Sequence, residues 1–350
     1  MNKKNFIKTL MHFLIIICAI FFILIYEDEC RKGVASGILI SGNIIIPSLF
    51  PFTVCILMIM RCGFTEYIEK TEKIIFKFFG LNPSEFLVFI LSFIGGYPIG
   101  AKLINETVKE KNSTESRANN ILLFSINGGP AFIVLAIGNG MLNSKKIGIV
   151  LLVSHITSSL IISLFTAPKL KTNYYKSRTI STKKSFSDNF VDSVANSAET
   201  ILHICAFVII FSAIGEILSA IKIIEPITYF LEITTAIRKT KNIYFISFLL
   251  GFGGISIWLQ ILSCCKNFKV NLFALITSRV VAGLLNATLT FIILKLFKFD
   301  CSTFSNNVLS ISNFVYKTPS LTVSLILMAI LLVISLERKF DSGNFKKDLV

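Results

Sequence analysis

Charge is scarce in this chain. Only 16% of its 350 residues are Asp, Glu, Lys or Arg, against 53% that are hydrophobic, and mean hydropathy is +0.74. Soluble proteins carry about 25% charged residues. Too few polar groups remain to cover soluble domains of this size, so the class is integral membrane protein. Acids are scarcer than bases, 20 against 35, which gives a net charge of +15. In so apolar a chain that excess marks loops facing the cytoplasm and its anionic lipids, and no nucleic-acid partner is expected.

Histidine is also scarce, with three residues, and tryptophan occurs once. Eight cysteines (Cys18, Cys30, Cys55, Cys62, Cys205, Cys264, Cys265 and Cys301) form no CxxC pair and no Cys/His group at zinc spacing. Most lie in apolar stretches, where Cys acts as a small hydrophobe. No metal, cofactor or disulfide framework is expected. The patterns GxxxxGK[ST], HExxH and GxSxG are missing, and acids gather in loops. The chain is therefore not read as an enzyme, nor by itself as an ATP-driven pump.

What is present is long apolar runs. A span takes about 20 apolar residues as helix. The candidates are 10–26, 34–60, 85–104, 119–141, 146–167, 199–221, 243–264, 270–297 and 318–336. Lys3, Lys4 and Lys8 precede the first, and no small-residue cleavage site follows it, so it reads as an uncleaved signal anchor. Two stretches, 65–80 and 222–238, alternate apolar and charged residues and read as interfacial amphipathic helices. The longest polar break, 169–198, is basic and divides the chain. The organisation expected is a tail and anchor over 1–32, a first repeat over 33–168, a basic cytoplasmic loop over 169–198, a second repeat over 199–338 and a polar tail over 339–350. Nine crossings leave no positive-inside bias. Letting 85–104 enter and leave on one side puts the basic loop and both termini inside.

The halves resemble each other. Gly95-Gly96-Tyr97-Pro98-Ile99-Gly100-Ala101-Lys102 recurs in type as Gly253-Gly254-Ile255-Ser256-Ile257-Trp258-Leu259-Gln260, 158 positions later. Gly/Pro-interrupted segments at matching places point to a transporter's midplane site. A helix broken in lipid exposes backbone groups that lipid cannot satisfy, so the break must pack in protein or line a polar cavity. The half-helix beyond it offers free N–H groups and a positive dipole end to an anionic or polar solute. Pro98 suits a first turn, and Ser256 at the equivalent place can cap the second half-helix. Lys102 and Gln260 match one turn further on. Pro47-Ser48-Leu49-Phe50-Pro51-Phe52 and Asn127-Gly128-Gly129-Pro130 are further breaks. Packing kinks are the plainer reading of any single break. The expected fold is an all-α polytopic membrane protein with eight or nine transmembrane or re-entrant helices in two related repeats.

Several polar residues fall at membrane depth. Arg279 lies in an apolar helix, where an Arg costs about 2.5–3.5 kcal/mol. Either it faces a cavity and pairs with a carboxylate, or it snorkels to the interface. Glu199 either complements a helix dipole as a first-turn acid or serves as a coupling carboxylate or a partner of Arg279. His155 and His203 are either proton relays or packed side chains bonded to neighbouring hydroxyls. Trp258 follows the second break closely enough to sit by a cavity.

The runs Pro47–Phe52, Gly95–Lys102, Gly128-Gly129-Pro130-Ala131-Phe132 and Gly253–Gln260, with His155, resemble the sporulation integral membrane protein family of the YlbJ/SpoVV type. Its members carry "nucleoside recognition" Gate domains. The resemblance covers about residues 33–300 in order. It implies a role in endospore formation, in the cell membrane and then the outer forespore membrane, moving dipicolinate from mother cell to forespore, with other sporulation membrane proteins as partners. Dipicolinate is a small planar dianion, which suits Lys102 and Arg279 better than a neutral nucleoside does. A nucleoside or nucleobase permease and a non-transporting scaffold for the spore envelope are the alternatives.

Overall fold

The computed structural model describes residues 3–62, 68, 72–172, 185–221, 225–240 and 242–297. The expected segment 318–336, the tail 339–350 and the centre of the basic loop lie outside them. All regular structure among the described residues is helical. Apolar helices satisfy their own backbone hydrogen bonds, which is the condition for crossing lipid.

The helices are α1 (Lys3–Ile25), α2 (Glu27–Ile40), α3 (Ile46–Arg61), α4 (Glu72–Phe79), α5 (Pro83–Gly95), α6 (Tyr97–Lys109), α7 (Glu115–Leu122), α8 (Ala131–Met141), α9 (Lys145–Thr172), α10 (Phe186–Ala220), α11 (Glu225–Thr228), α12 (Ile233–Lys239), α13 (Ile243–Phe252), α14 (Gly254–Cys264) and α15 (Leu272–Leu296). A wide π-type turn, Ser41–Ile45, joins α2 to α3. Among the described residues five stretches are long and apolar enough to span: Glu27–Arg61, Lys145–Thr172, Phe186–Ala220, Ile243–Cys264 and Leu272–Leu296. A sixth is a pair bent by 65°, Lys73–Phe79 with Pro83–Gly95.

Three expected segments differ. Residues 119–141 are not one helix: α7 ends at Leu122, residues 125–129 have no regular structure, and α8 is a π-type helix of 11 residues. The basic stretch 169–198 is largely helical at its ends, because α9 runs to Thr172 and α10 begins at Phe186. Ser185 caps α10 by accepting from the Asp188 N–H at 3.1 Å. Within 222–238 the described residues divide. In α11, Glu225, Pro226 and Ile227 are exposed, which keeps part of the expected surface character. In α12, Ile233, Thr234, Thr235, Ala236 and Ile237 are all buried, and Arg238 and Lys239 close the helix. The stretch 65–80 keeps part of its surface character, with Ile74 and Phe78 of α4 exposed and Ile75 buried.

The apolar core is in two pieces. A small one joins Ile40, Ile45, Ile46 and Leu49 to Ile201, Ile204, Cys205 and Val208. It is the seam of α2 and α3 with α10, which run antiparallel. A Cβ on Gly33 would meet Ala213, and one on Gly37 would meet Ile209. The large core includes Ile99, Ala101, Leu103 and Ile104 of α6 and Ile257 and Ile261 of α14. The far end of α3, Ile56 and Leu57, reaches into it.

Both glycine breaks are real. Asn82 opens α5 with a capping box: its side chain accepts from Glu85 N–H at 2.9 Å, and the Glu85 carboxylate accepts from Asn82 N–H at 3.0 Å. That helix ends at Gly96, whose φ is +83°. Asn242 caps α13, which ends at Gly253 with φ +89°. Left-handed backbone of this kind is open to Gly at little cost.

Candidate functional site

The first break is packed against another break. A Cβ on Gly129 would lie 2.7 Å from the Ile94 carbonyl, and one on Gly100 would lie 1.9 Å from the Ser125 carbonyl. The irregular 125–129 stretch therefore touches the α5–α6 corner backbone to backbone. Gly95 is closed off by Ile56 and Ile99.

Around this crossing lies a fully packed polar network. Tyr97 donates its hydroxyl to the Leu250 carbonyl at 2.6 Å. Asn127 donates to Ser92 Oγ at 2.9 Å and to the Phe124 carbonyl at 3.0 Å. Gly128 N–H donates to His155 Nε2 at 2.9 Å. With the Asn286 amide oriented to satisfy its neighbours, its oxygen accepts from His155 Nδ1 at 2.9 Å and from Gly251 N–H at 3.0 Å. That fixes a neutral imidazole with the proton on Nδ1. Arg279 is 2% exposed. It donates to the Ile126 carbonyl at 2.8 Å and also to the Leu123 carbonyl. It does not snorkel, and among the described residues it meets no carboxylate. Its guanidinium terminates α7 and ties down the irregular 125–129 stretch, whose carbonyls have left the helical ladder.

The second break is likewise sealed. The N–H groups of Ile255 and Ser256 donate to the Phe230 and Leu231 carbonyls, both at 2.9 Å. The free N–H groups expected to face an anion there are used by the turn before α12. Gly253, not Ser256, holds the cap position. Ser256 Oγ accepts from Gln260 Nε2 at 3.2 Å. Trp258 donates to the Phe252 carbonyl at 2.8 Å and packs on the Phe252 ring, so it bridges the break.

Space opens one turn further along. A cavity of about 340 Å³ lies between α6, α10 and α14. From α6 come Pro98, Lys102, Asn105, Glu106 and Lys109, and from α10 come Asn196, Glu199, Thr200, His203 and Ile204. Gln260, Ser263 and Cys264 line it from α14, followed by Lys266 and Asn267. Each helix contributes one face at the i, i+3, i+4, i+7 spacing. Of the sequence candidates the cavity gathers Pro98, Lys102, Glu199, His203 and Gln260. It does not gather Gly95, Gly96, Tyr97, Asn127, Gly128, Gly129, His155, Gly253, Gly254, Ser256 or Arg279. Asn105, Glu106, Lys109, Asn196, Thr200, Ser263, Lys266 and Asn267 are additional lining residues. Their signal was the polar spacing on otherwise apolar helices.

Lys102 is the central group. Its ammonium donates to the Asn196 carbonyl at 2.9 Å and to Thr200 Oγ1. Among the described residues no carboxylate forms an ion pair with it; the pairs formed are Arg31–Asp28 and Arg117–Glu85. A cation held by neutral acceptors beside open space is a ready partner for an anion.

The Arg117–Glu85 pair lies elsewhere and is fully buried. Arg117 Nε donates to Glu85 Oε1 at 2.8 Å, and Nη1 and Nη2 reach the Leu170 and Gly80 carbonyls at 2.6 and 2.8 Å. Ser113 Oγ adds a donor to Glu85 Oε1 at 2.7 Å. With every charge partnered, it clamps α5, α7 and α9 together. Among the described residues no group of three or more His, Cys, Asp or Glu side chains is placed to hold a metal.

No family model matches the chain, and no solved structure matches it. A curated relative does. The chain is 20% identical over 314 residues to the sporulation integral membrane protein YlbJ of Bacillus subtilis (strain 168), covering 74% of this chain and 76% of that one.

Proposed function

We propose that this chain, a distant homologue of the sporulation integral membrane proteins, is a multi-pass carrier for a small organic anion. The observation that carries the reading is Lys102: a half-buried ammonium on a broken helix, whose acceptors among the described residues are neutral, facing a polar cavity among membrane helices. Lys109 and Lys266 add positive charge at the same cavity, and Glu106 and Glu199 offset part of it. Asn105, Gln260, Ser263 and Asn267 supply neutral hydrogen-bonding groups that would fix a solute's orientation. The reading is therefore one of transport rather than catalysis.

Dipicolinate, the solute implied by the family resemblance, is the anion to try first. Its passage through the outer forespore membrane into the spore would follow, alone or with other sporulation membrane proteins.

The same reading takes the chain as two inverted repeats. Several features support it. The spans Glu27–Arg61 and Phe186–Ala220 are each 35 residues long and pack antiparallel. Asn82 and Asn242 cap the helices that lead to Gly96 and Gly253. Thr114 and Asn271 cap the next helices. Equivalent positions Lys102 and Gln260 meet at one cavity. Inverted repeats place a solute where their broken helices come together.

Uptake of labelled dipicolinate into proteoliposomes tests the proposal. Saturable uptake that disappears in Lys102→Met is expected. No uptake above empty vesicles would overturn the carrier, and uptake displaced by neutral nucleosides would turn the reading toward a nucleoside permease.

A further inference from the structure

Lys102 does more than line the cavity: it crosses the seam between the two cores. Its own helix, α6, is anchored in the large core through Ile99, Ala101, Leu103 and Ile104. Its acceptors lie on α10, which is anchored in the small core through Ile201, Ile204 and Cys205. Asn196 and Thr200 therefore sit on one packed body and the ammonium on the other, with the cavity between them. The acceptors are already engaged with each other, since Thr200 Oγ1 donates to the Asn196 carbonyl at 2.7 Å. This places a carbonyl and a hydroxyl side by side, both turned to the same cation.

We propose that the Asn196 carbonyl and the Thr200 hydroxyl park the Lys102 ammonium across this seam, and that an anion entering the cavity takes the ammonium from them. Thr200 is then a positioning residue, which acts on the solute through Lys102. The anion part rests on the carrier reading above. The bridge itself rests on the hydrogen bonds and the division of the core.

The physical logic is competition. A lysine ammonium has three donors and two are spent on α10. A carboxylate forms stronger, charge-assisted hydrogen bonds than a neutral carbonyl or hydroxyl. An anion that binds the released ammonium better than the parked one shifts the protein toward the released state. Parking lowers the apparent affinity by the fraction of protein in which the ammonium is free. Release also removes a polar tie between α6 and α10, so occupancy of the cavity and movement of α10 against α6 become linked.

The test uses the full chain in lipid nanodiscs, with dipicolinate binding followed by calorimetry. Thr200→Val keeps the volume of a side chain that is 5% exposed and removes one acceptor. It is expected to bind roughly tenfold tighter, while Thr200→Ser binds as wild type and Lys102→Met does not bind. Thr200→Ala serves as a second variant if the valine protein does not fold. Unchanged or weaker binding by the hydroxyl-free variants overturns the parking role, because a residue that held the solute directly would lose affinity.

A second measurement needs no ligand. Spin labels at Phe190 on α10 and Lys145 on α9, both exposed, report the separation of the two bodies. Lys102→Met and Thr200→Val are expected to lengthen or broaden that distance in the free protein. An unchanged distance in Lys102→Met overturns the bridge. If wild type fails to bind dipicolinate yet the distance moves as expected, the solute is wrong and the bridge stands.

Discussion

Two polar clusters lie within a few turns of the first glycine break, and they differ in kind. At the break itself, Tyr97, Asn127, His155 and Arg279 have their hydrogen-bonding groups paired within the protein, and the backbones touch. One turn along α6, Lys102 borders open space and is held by neutral acceptors alone. The difference teaches how a break in a membrane helix is made tolerable. Its freed N–H and C=O groups must be satisfied, and here protein groups satisfy them. The polar residues nearest the break are thereby consumed. Those one turn away remain available to a solute.

The sharpest way to break the comparison is at the packed cluster. Gly100→Ala would put a Cβ 1.9 Å from the Ser125 carbonyl. Backbone cannot yield as a flexible side chain does, so a loss above about 3 kcal/mol is expected, read as failure to obtain monodisperse protein. Arg279→Gln comes next. It leaves the Ile126 and Leu123 carbonyls without their charged donor, at about 3 kcal/mol, and should lower the melting temperature and transport together. Glu85→Gln, which strands a buried Arg117, should cost about 3–5 kcal/mol by the same assay and serves as a control outside both clusters. Transport by Arg279→Gln at the wild-type rate with unchanged melting would erase the distinction drawn here.

At the cavity the outcome should invert. Lys102→Met is expected to change stability by less than about 1 kcal/mol, since it removes bonds to neutral acceptors beside a cavity. It should nevertheless abolish saturable uptake. The smallest effect concerns Glu110, the residue that ends α6. Burial, and then the like charge of Glu106 one turn earlier, hold the Glu110 carboxyl above the usual carboxylate range. The folded chain therefore retains that proton to higher pH than the unfolded chain does. Stability falls as pH rises from the ordinary carboxylate value through the raised one. Glu110→Gln should flatten that part of a melting-temperature profile and slightly stabilise the protein at neutral pH.

The fold was legible in the sequence to the extent that it is local. Apolar runs marked the long helices, and Gly95-Gly96 and Gly253-Gly254 marked the breaks. Asn127-Gly128-Gly129-Pro130 marked a third interruption, although the irregular backbone there shortened an expected span. The burial of α12 within 222–238 was missed because charges spaced along a stretch read as an exposed face, whereas Glu232 is buried and accepts from Thr234 and Thr235. The cavity was partly legible. Lys102, Asn105, Glu106 and Lys109 repeat at helical spacing, as do Asn196, Glu199, Thr200 and His203, and such stripes on apolar helices mark a polar face. Following the glycine breaks instead led to residues whose bonds are already made. Arg279 shows why. Its cost in an apolar helix was readable, but the carbonyls that repay it belong to a stretch 153 residues away.

The sequence by itself determined the membrane class, the helical segments and their points of rupture. Each of these follows from a segment's own need to satisfy its backbone in lipid and from glycine's access to left-handed backbone. Only the tertiary structure decided which polar side chains face a space and which are spent on packing. That choice depends on partners brought from far along the chain, as Lys102 meets Asn196 across 94 positions. No local pattern encodes whether such a partner closes a gap or leaves one.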